Sequence, residues 1–135
     1  MSTIFNKIIN KEIPSNIIYE DEDVLAFLDI SQATKGHTLV VPKKETESVL
    51  TANDDTISKV NIVAAKLARE LIQIFDAEGA NILTNANEVA GQTVFHYHVH
   101  IIPRYKKEEL KFSPLENDVD IEEVYEKIRN YNKDI

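Results

Sequence analysis

Residues 91–104 read Gly-Gln-Thr-Val-Phe-His-Tyr-His-Val-His-Ile-Ile-Pro-Arg, a run in which histidine alternates with apolar side chains and which holds three of the chain's four histidines. Successive side chains of an extended strand point to opposite faces, so His96, His98 and His100 share one face while Phe95, Tyr97, Val99 and Ile101 share the other. A chain carrying this pattern can bury one face of the strand in a core, and the histidine face looks built for chemistry.

Several readings of the three imidazoles stay open on the residues alone. The face can be merely polar. A metal site is a second reading, because imidazole is the commonest metal ligand. Residues i and i+4 of a strand, however, lie about 13 Å apart at about 3.3 Å per residue. His96 and His100 cannot both reach an ion that sits about 2 Å from each nitrogen, so at most one His-x-His pair binds, with a third ligand from elsewhere. A fully charged ladder for anions is a third reading, opposed by the mutual depression of neighbouring imidazolium pKa values. The fourth is a largely neutral triad acting on a phosphate, in which the middle histidine attacks and its neighbours place protons and charge.

A chain of 135 residues with 43% hydrophobic and 28% charged residues has the size and composition of one soluble domain. The net charge of −8 argues against a general nucleic-acid binder. An anionic substrate has to be met locally, by Lys35, His37, Lys43, Lys44 or Arg104 near the motifs, or by backbone N–H groups around Gly91, where glycine permits close approach. No long apolar run and no basic-then-apolar N-terminus is present, so neither a membrane span nor a signal peptide is expected, and a chain without cysteine is compatible with a cytoplasmic location. The acidic stretch 116–126 reads as a solubilising face.

Periodicity places these motifs on elements. Residues 4–10 read as a short helix with Ile4/Ile8 and Phe5/Ile9 at helical spacing, ended by Ile13-Pro14. Residues 17–20 and 24–28 read as a hairpin about the acidic turn 21–23, and residues 38–41 as a third strand closed by Pro42. The stretch 54–75 is an amphipathic helix, with Ile57, Val60, Ala64, Leu67, Leu71 and Ile74 on one face, a capping pair at Thr51 and Asp54, and Gly79 as its stop. Strands are expected over 80–85 and 93–103, joined by the polar loop 86–91, and a last amphipathic segment over 121–131. Helix, three strands, helix, two strands is an α+β order with a mainly antiparallel five-stranded sheet, two main helices and a C-terminal helix.

The run 96–102 resembles the signature of the histidine triad (HIT) family, and the likeness extends in order to residues 4–14, 24–30 and 36–43. It covers most of the chain to about residue 105 and is nearest to the Hint-like bacterial branch of nucleoside phosphoramidases and nucleotide hydrolases. The resemblance implies a single HIT domain over 1–135, with 106–135 a divergent extension, and a homodimer joined by a continuous sheet. It implies that His98 is the nucleophile forming a covalent nucleotidyl-histidine, that His100 contacts a substrate oxygen, that His96 orders the triad, and that His37 lies alongside it. Thr93 takes the place of a serine hydroxyl near the leaving group. Asp29 would meet the ribose hydroxyls, Ile4, Phe5, Ile8, Phe27, Ile30 and Leu39 the base, and Asn85, Gly91 and Gln92 the phosphate.

Two departures bear on these expectations. Some bacterial relatives bind a structural zinc through two cysteines near the N-terminus and a histidine after the Pro-Lys segment; Ser2 or Thr3, Asn6 and Glu45 stand there in this chain, so no metal or other cofactor is expected. The segment after Lys106 differs from the short, tryptophan-containing end of eukaryotic relatives, a region that borders the substrate site in the dimer. The resulting expectation is a nucleotide hydrolase or transferase acting at the α-phosphate of purine nucleoside monophosphate conjugates. A dinucleoside polyphosphate hydrolase and a nucleotide-binding sensor with little turnover are the alternatives. Purine nucleotide is the expected partner, with no nucleic acid and no membrane.

Overall fold

The computed structural model describes residues 3–132, which leaves Ser2 outside the described residues. Helix α1 (Ile4–Ile9) starts at a capping box in which the Thr3 hydroxyl accepts from the Asn6 N–H and the Asn6 side chain accepts from the Thr3 N–H. Its stop is not the Ile13-Pro14 pair: the helix ends earlier, where Lys11 turns to φ 63°. Strands β1 (Ile17–Glu20) and β2 (Val24–Leu28) form the expected hairpin, with Asp21 Oδ1 accepting from the N–H groups of Asp23 and Val24 in the turn. β3 (Thr38–Pro42) follows, then α2 (Asp54–Phe75), β4 (Gly79–Leu83), β5 (Val99–Arg104) and α3 (Ile121–Tyr131).

Helix α2 has the expected span but different ends. Its N-cap is Asn53, whose side chain accepts from the Thr56 N–H, while Thr51 is engaged with Ser48 in the preceding turn. Its last turn closes at Asp76 in the left-handed region (φ 54°), and Gly79 instead opens β4.

The sheet is antiparallel throughout, in the order β1-β2-β3-β5-β4. Helix α2 covers one face. Val60, Val63, Ala64, Leu67, Ala68 and Leu71 meet Val24, Ala26, Val40, Val99 and Ile101 there, and burying a side chain such as Leu67 contributes about 1.5–3 kcal/mol. The opposite face is covered by α1, which sets Phe5 and Ile8 against Leu25, Phe27, Leu39 and Val41. β2 and β3 are buried on both faces, which is why they read as continuous apolar runs rather than as alternations.

The histidine-bearing strand is shorter than its alternation suggests. β5 begins at Val99 rather than at 93, because β3 pairs with it only over Thr38–Val40 and ends at Pro42, and β4 pairs only as far as Leu83↔His100. Residues 93–98 therefore have no ladder partner among the described residues, although Tyr97 N–H donates to the Thr46 carbonyl at 2.8 Å. The alternation survives as packing: Tyr97, Val99 and Ile101 lie in the α2-side core, but Phe95 is 43% exposed and does not join them. β4 is likewise shorter than expected, since Thr84 turns its hydroxyl onto the His98 carbonyl at 2.6 Å instead of extending the ladder.

Helix α3 carries Ile121, Val124, Tyr125, Ile128 and Tyr131 as an apolar stripe, and none of its residues is buried. Among the described residues no helix is long and apolar enough to cross a membrane.

Candidate active site

The three histidines of the alternating run have three different environments. His96 is fully buried beneath Phe5, with its Nε2–H donating to the Pro42 carbonyl at 2.8 Å; its Nδ1 is buried with no hydrogen-bond partner among the described residues. His98 is 5% exposed, and the edge-to-face Phe5 ring, 4.9 Å between centroids, holds it in place. Its Nδ1–H donates to the His96 carbonyl at 2.7 Å, so the neutral ring keeps its lone pair on Nε2. Burial, chiefly, pushes the His98 pKa below the ordinary imidazole value, which favours that neutral form.

His100 opens toward solvent and meets a fourth histidine. The β3–β5 register sets Leu39 opposite His100, and this brings His37, at the mouth of β3, to 2.9 Å between its Nε2 and His100 Nδ1. His37 Nδ1 accepts from the Ala33 N–H at 3.1 Å, so its proton is on Nε2. That proton is donated to His100 Nδ1, which leaves the His100 proton on Nε2. The result is a directional chain, Ala33 N–H to His37 to His100, ending in an N–H free to donate outward. Burial together with the neighbouring His98 and His37 lowers the His100 pKa to about 4.

Asp29 completes the group. One carboxylate oxygen accepts from the Ser31 N–H at 2.8 Å, and the other lies 3.7 Å from His37 Nε2. Ligand-type atoms of Asp29, His37 and His100 all fall within 4.8 Å of one another, a combination that distances along one strand do not reveal. The proton assignment opposes coordination there: a metal on His37 Nε2 would move the ring proton to Nδ1, against the Ala33 N–H that now donates to it. The cluster fits a hydrogen-bonded relay better than a metal centre.

A profile of the HIT domain matches residues 10–107. The chain is 55% identical over 104 residues to the protein hit of Bacillus subtilis, covering 77% of this chain and 72% of that one. The crystal structure of a HIT family member from Bacillus subtilis superposes with a TM-score of 0.89 at 43% identity, covering 100% of this chain and 98% of that one. A hypothetical histidine triad nucleotide-binding protein from Sulfolobus tokodaii superposes at 0.75 with 35% identity, over 94% and 87% of the two chains.

The chain belongs to the HIT family.

HIT proteins are in general nucleotide hydrolases or transferases, and the α+β fold with its five-stranded antiparallel sheet is the HIT fold. Within this HIT domain the expected site residues divide into three groups. His96, His98, His100, His37 and Asp29 converge as described. Phe5, Ile8, Phe27 and Leu39 are buried in the α1-side core, whereas Ile4 (53% exposed) and Ile30 (96% exposed) have open surface. Thr93 is exposed and borders a cleft of about 580 Å³ with Ile4, Val94 and Phe95.

In the loop group the Gln92 side chain turns inward instead of toward a phosphate. Gln92 is buried and its side-chain amide is used internally: Oε1 accepts from the Asn87 N–H, and Nε2 donates to the carbonyls of Glu47 and Val94. It braces the loop from inside. Gly91 stands exposed at φ 101° with Asn85 beside it, where a Cβ would meet the Asn85 side chain at 3.6 Å. Sequence reasoning missed Thr84, which holds the His98 carbonyl, and Gln32, which shapes the loop carrying Asp29 and His37. A hydroxyl or amide that meets only backbone leaves no sequence signal of its own.

Proposed function

We propose that this HIT protein is a nucleotide hydrolase or transferase that cleaves at the α-phosphate of purine nucleoside monophosphate conjugates, of the nucleoside phosphoramidase type, through a covalent nucleotidyl-His98. The observation that carries the reading is the His98 ring: Nδ1–H tied to the His96 carbonyl at 2.7 Å, a lone pair on Nε2, and His100 beside it at 5.1 Å between ring centroids. In this reading Nε2 attacks the α-phosphorus, forming a P–N bond as the bond to the leaving amine breaks and the amine departs with a proton from solvent; water then attacks the phosphorus, gives up a proton to solvent, releases the nucleotide and returns His98 as the neutral imidazole. His100 Nε2–H donates to a non-bridging oxygen of the phosphoryl group or to the leaving group, and His96 holds the strand from behind. In the same reading Asn85 and the Gly91 backbone serve the phosphate, Thr93 assists the leaving group, and the freer oxygen of Asp29 takes the ribose hydroxyls. The nucleotide-binding description of the Sulfolobus tokodaii relative supports the substrate class.

We take residues 1–135 as one domain and the protein as a homodimer, with β1 or β4, the two sheet edges, as the strand that extends the sheet into a second copy. The activity is tested by comparing kcat/KM for adenosine phosphoramidate and for diadenosine polyphosphates with purified protein. Preference for the phosphoramidate supports the reading. Preference for the polyphosphates would make it a dinucleoside polyphosphate hydrolase, and absence of turnover on both would leave only a binding protein.

A further inference from the structure

Gln32 lies on the surface, yet its side-chain amide has all three of its partners in the backbone of its own loop. Nε2 donates to the carbonyls of Asp29 and His37, and Oε1 accepts from the Gly36 N–H at 2.8 Å. These bonds draw the two ends of the segment 29–37 together, and the Asp29 N–H adds a fourth by donating to the His37 carbonyl at 3.0 Å. The far side of the loop is fastened to the end of β5, with the Thr34 hydroxyl on the Pro103 carbonyl and the Tyr105 hydroxyl on the Lys35 carbonyl. An exposed glutamine ordinarily keeps its rotamers free, and ordering one side chain costs up to about 2 kcal/mol. Three simultaneous bonds to the backbone therefore mark a part with a job.

We infer that Gln32 is a positioning residue that fixes the tautomers of His37 and His100 by holding the Ala33 N–H on His37 Nδ1. This rests on the reading of the site as a phosphoryl-transfer centre. With Gln32 in place, Ala33 N–H meets His37 Nδ1, the His37 proton is confined to Nε2, and His100 carries its own proton on the outward Nε2. Without Gln32, the Asp29 carbonyl and the Gly36 N–H lose their closing partner and the Ala33 N–H is no longer aimed. His37 then also populates the Nδ1–H form, whose Nε2 lone pair faces the His100 Nδ1 lone pair. His100 relieves that clash by taking its proton on Nδ1, and the donor toward the phosphoryl group disappears.

The experiment compares wild type with Gln32→Met, which keeps the side chain's bulk without its polar atoms, and with Gln32→Ala. Because the residue is exposed, neither change opens a cavity. Two readouts are taken: imidazole tautomers from 15N–1H multiple-bond NMR without substrate, and kcat with KM on adenosine phosphoramidate. Both variants are expected to mix the His37 and His100 tautomers while the His98 Nδ1–H signal stays in place. Their kcat should fall at least about tenfold with little change in KM, since well-placed acid–base groups contribute about 10²–10⁴-fold. Unchanged tautomers would overturn the inference, whatever happens to kcat, and so would altered tautomers with unaltered kcat. Should the wild type fail to turn over the phosphoramidate, the functional reading falls, and the NMR comparison still decides whether Gln32 sets the tautomers.

Discussion

Acidification from pH 7 to pH 5 should destabilise this protein through its histidines, and His100 gives the magnitude. In the unfolded chain an imidazole titrates at 6.5, while in the fold His100 titrates at about 4 because burial and its histidine neighbours disfavour the cation. The folded value is depressed, so the stabilisation is complete above pH 6.5 and is lost as pH falls toward 4, where the unfolded state alone gains the proton. At pH 5 the unfolded imidazole is almost wholly protonated and the folded one almost wholly neutral, so at about 1.4 kcal/mol for each pH unit below 6.5 the loss from His100 is about 2 kcal/mol. Burial pushes His96 and His98 in the same direction and adds to it. Carboxylates held below their ordinary values, such as Glu20 and Glu109, lose their contribution only below about pH 4.5 and stay outside this window. Guanidinium unfolding of wild type and His100→Asn, at one protein concentration and at both pH values, isolates the difference. The wild type is expected to lose about 2 kcal/mol more than the variant. Equal losses in the two proteins, or a wild type as stable at pH 5 as at pH 7, would refute the reasoning.

Two further outcomes follow from the site. A 2′-deoxy substrate should lose about 1–3 kcal/mol if Asp29 accepts from the ribose hydroxyls, and Asp29→Asn should narrow the ribo-to-deoxy ratio of kcat/KM because an amide replaces one acceptor with a donor; the same ratio in both proteins would reduce Asp29 to a partner of Ser31 and His37. Extended dialysis against EDTA should leave unfolding midpoint and kcat/KM unchanged, because His37 holds its proton on the nitrogen that faces Asp29 and His100; activity lost to the chelator and restored by zinc or manganese would replace the relay with a metal centre.

Sequence was most informative where one physical demand acts alone. Helix α2 was legible because Val60, Ala64, Leu67 and Leu71 recur at helical spacing against one sheet face, and β2 and β3 because two covered faces demand apolar side chains at every position. The alternation about His96 and His98 correctly assigned their face but overstated the strand, since packing keeps the alternation where Pro42 has already ended the neighbouring strand. Helix stops were misplaced for a related reason: Lys11 and Asp76 adopt left-handed turns that sequence preference gives to glycine or to an approaching proline. The triad was legible as a pattern. The resemblance set His37 alongside the triad, but its hydrogen bond to His100 in particular was not legible, because it depends on strand register across 63 residues of chain, and Gln32 was not, because its partners are all backbone atoms.

The proposed mechanism rests most directly on the identity of the attacking atom. Adenosine phosphoramidate mixed with wild-type protein, quenched within the first turnover and digested for mass spectrometry, should yield a peptide carrying one adenylyl group on His98, and the same mixture with His98→Ala should yield no adduct and no turnover while nucleotide binding persists. An adenylyl group on His96 or His37, or full turnover in His98→Ala, would contradict it.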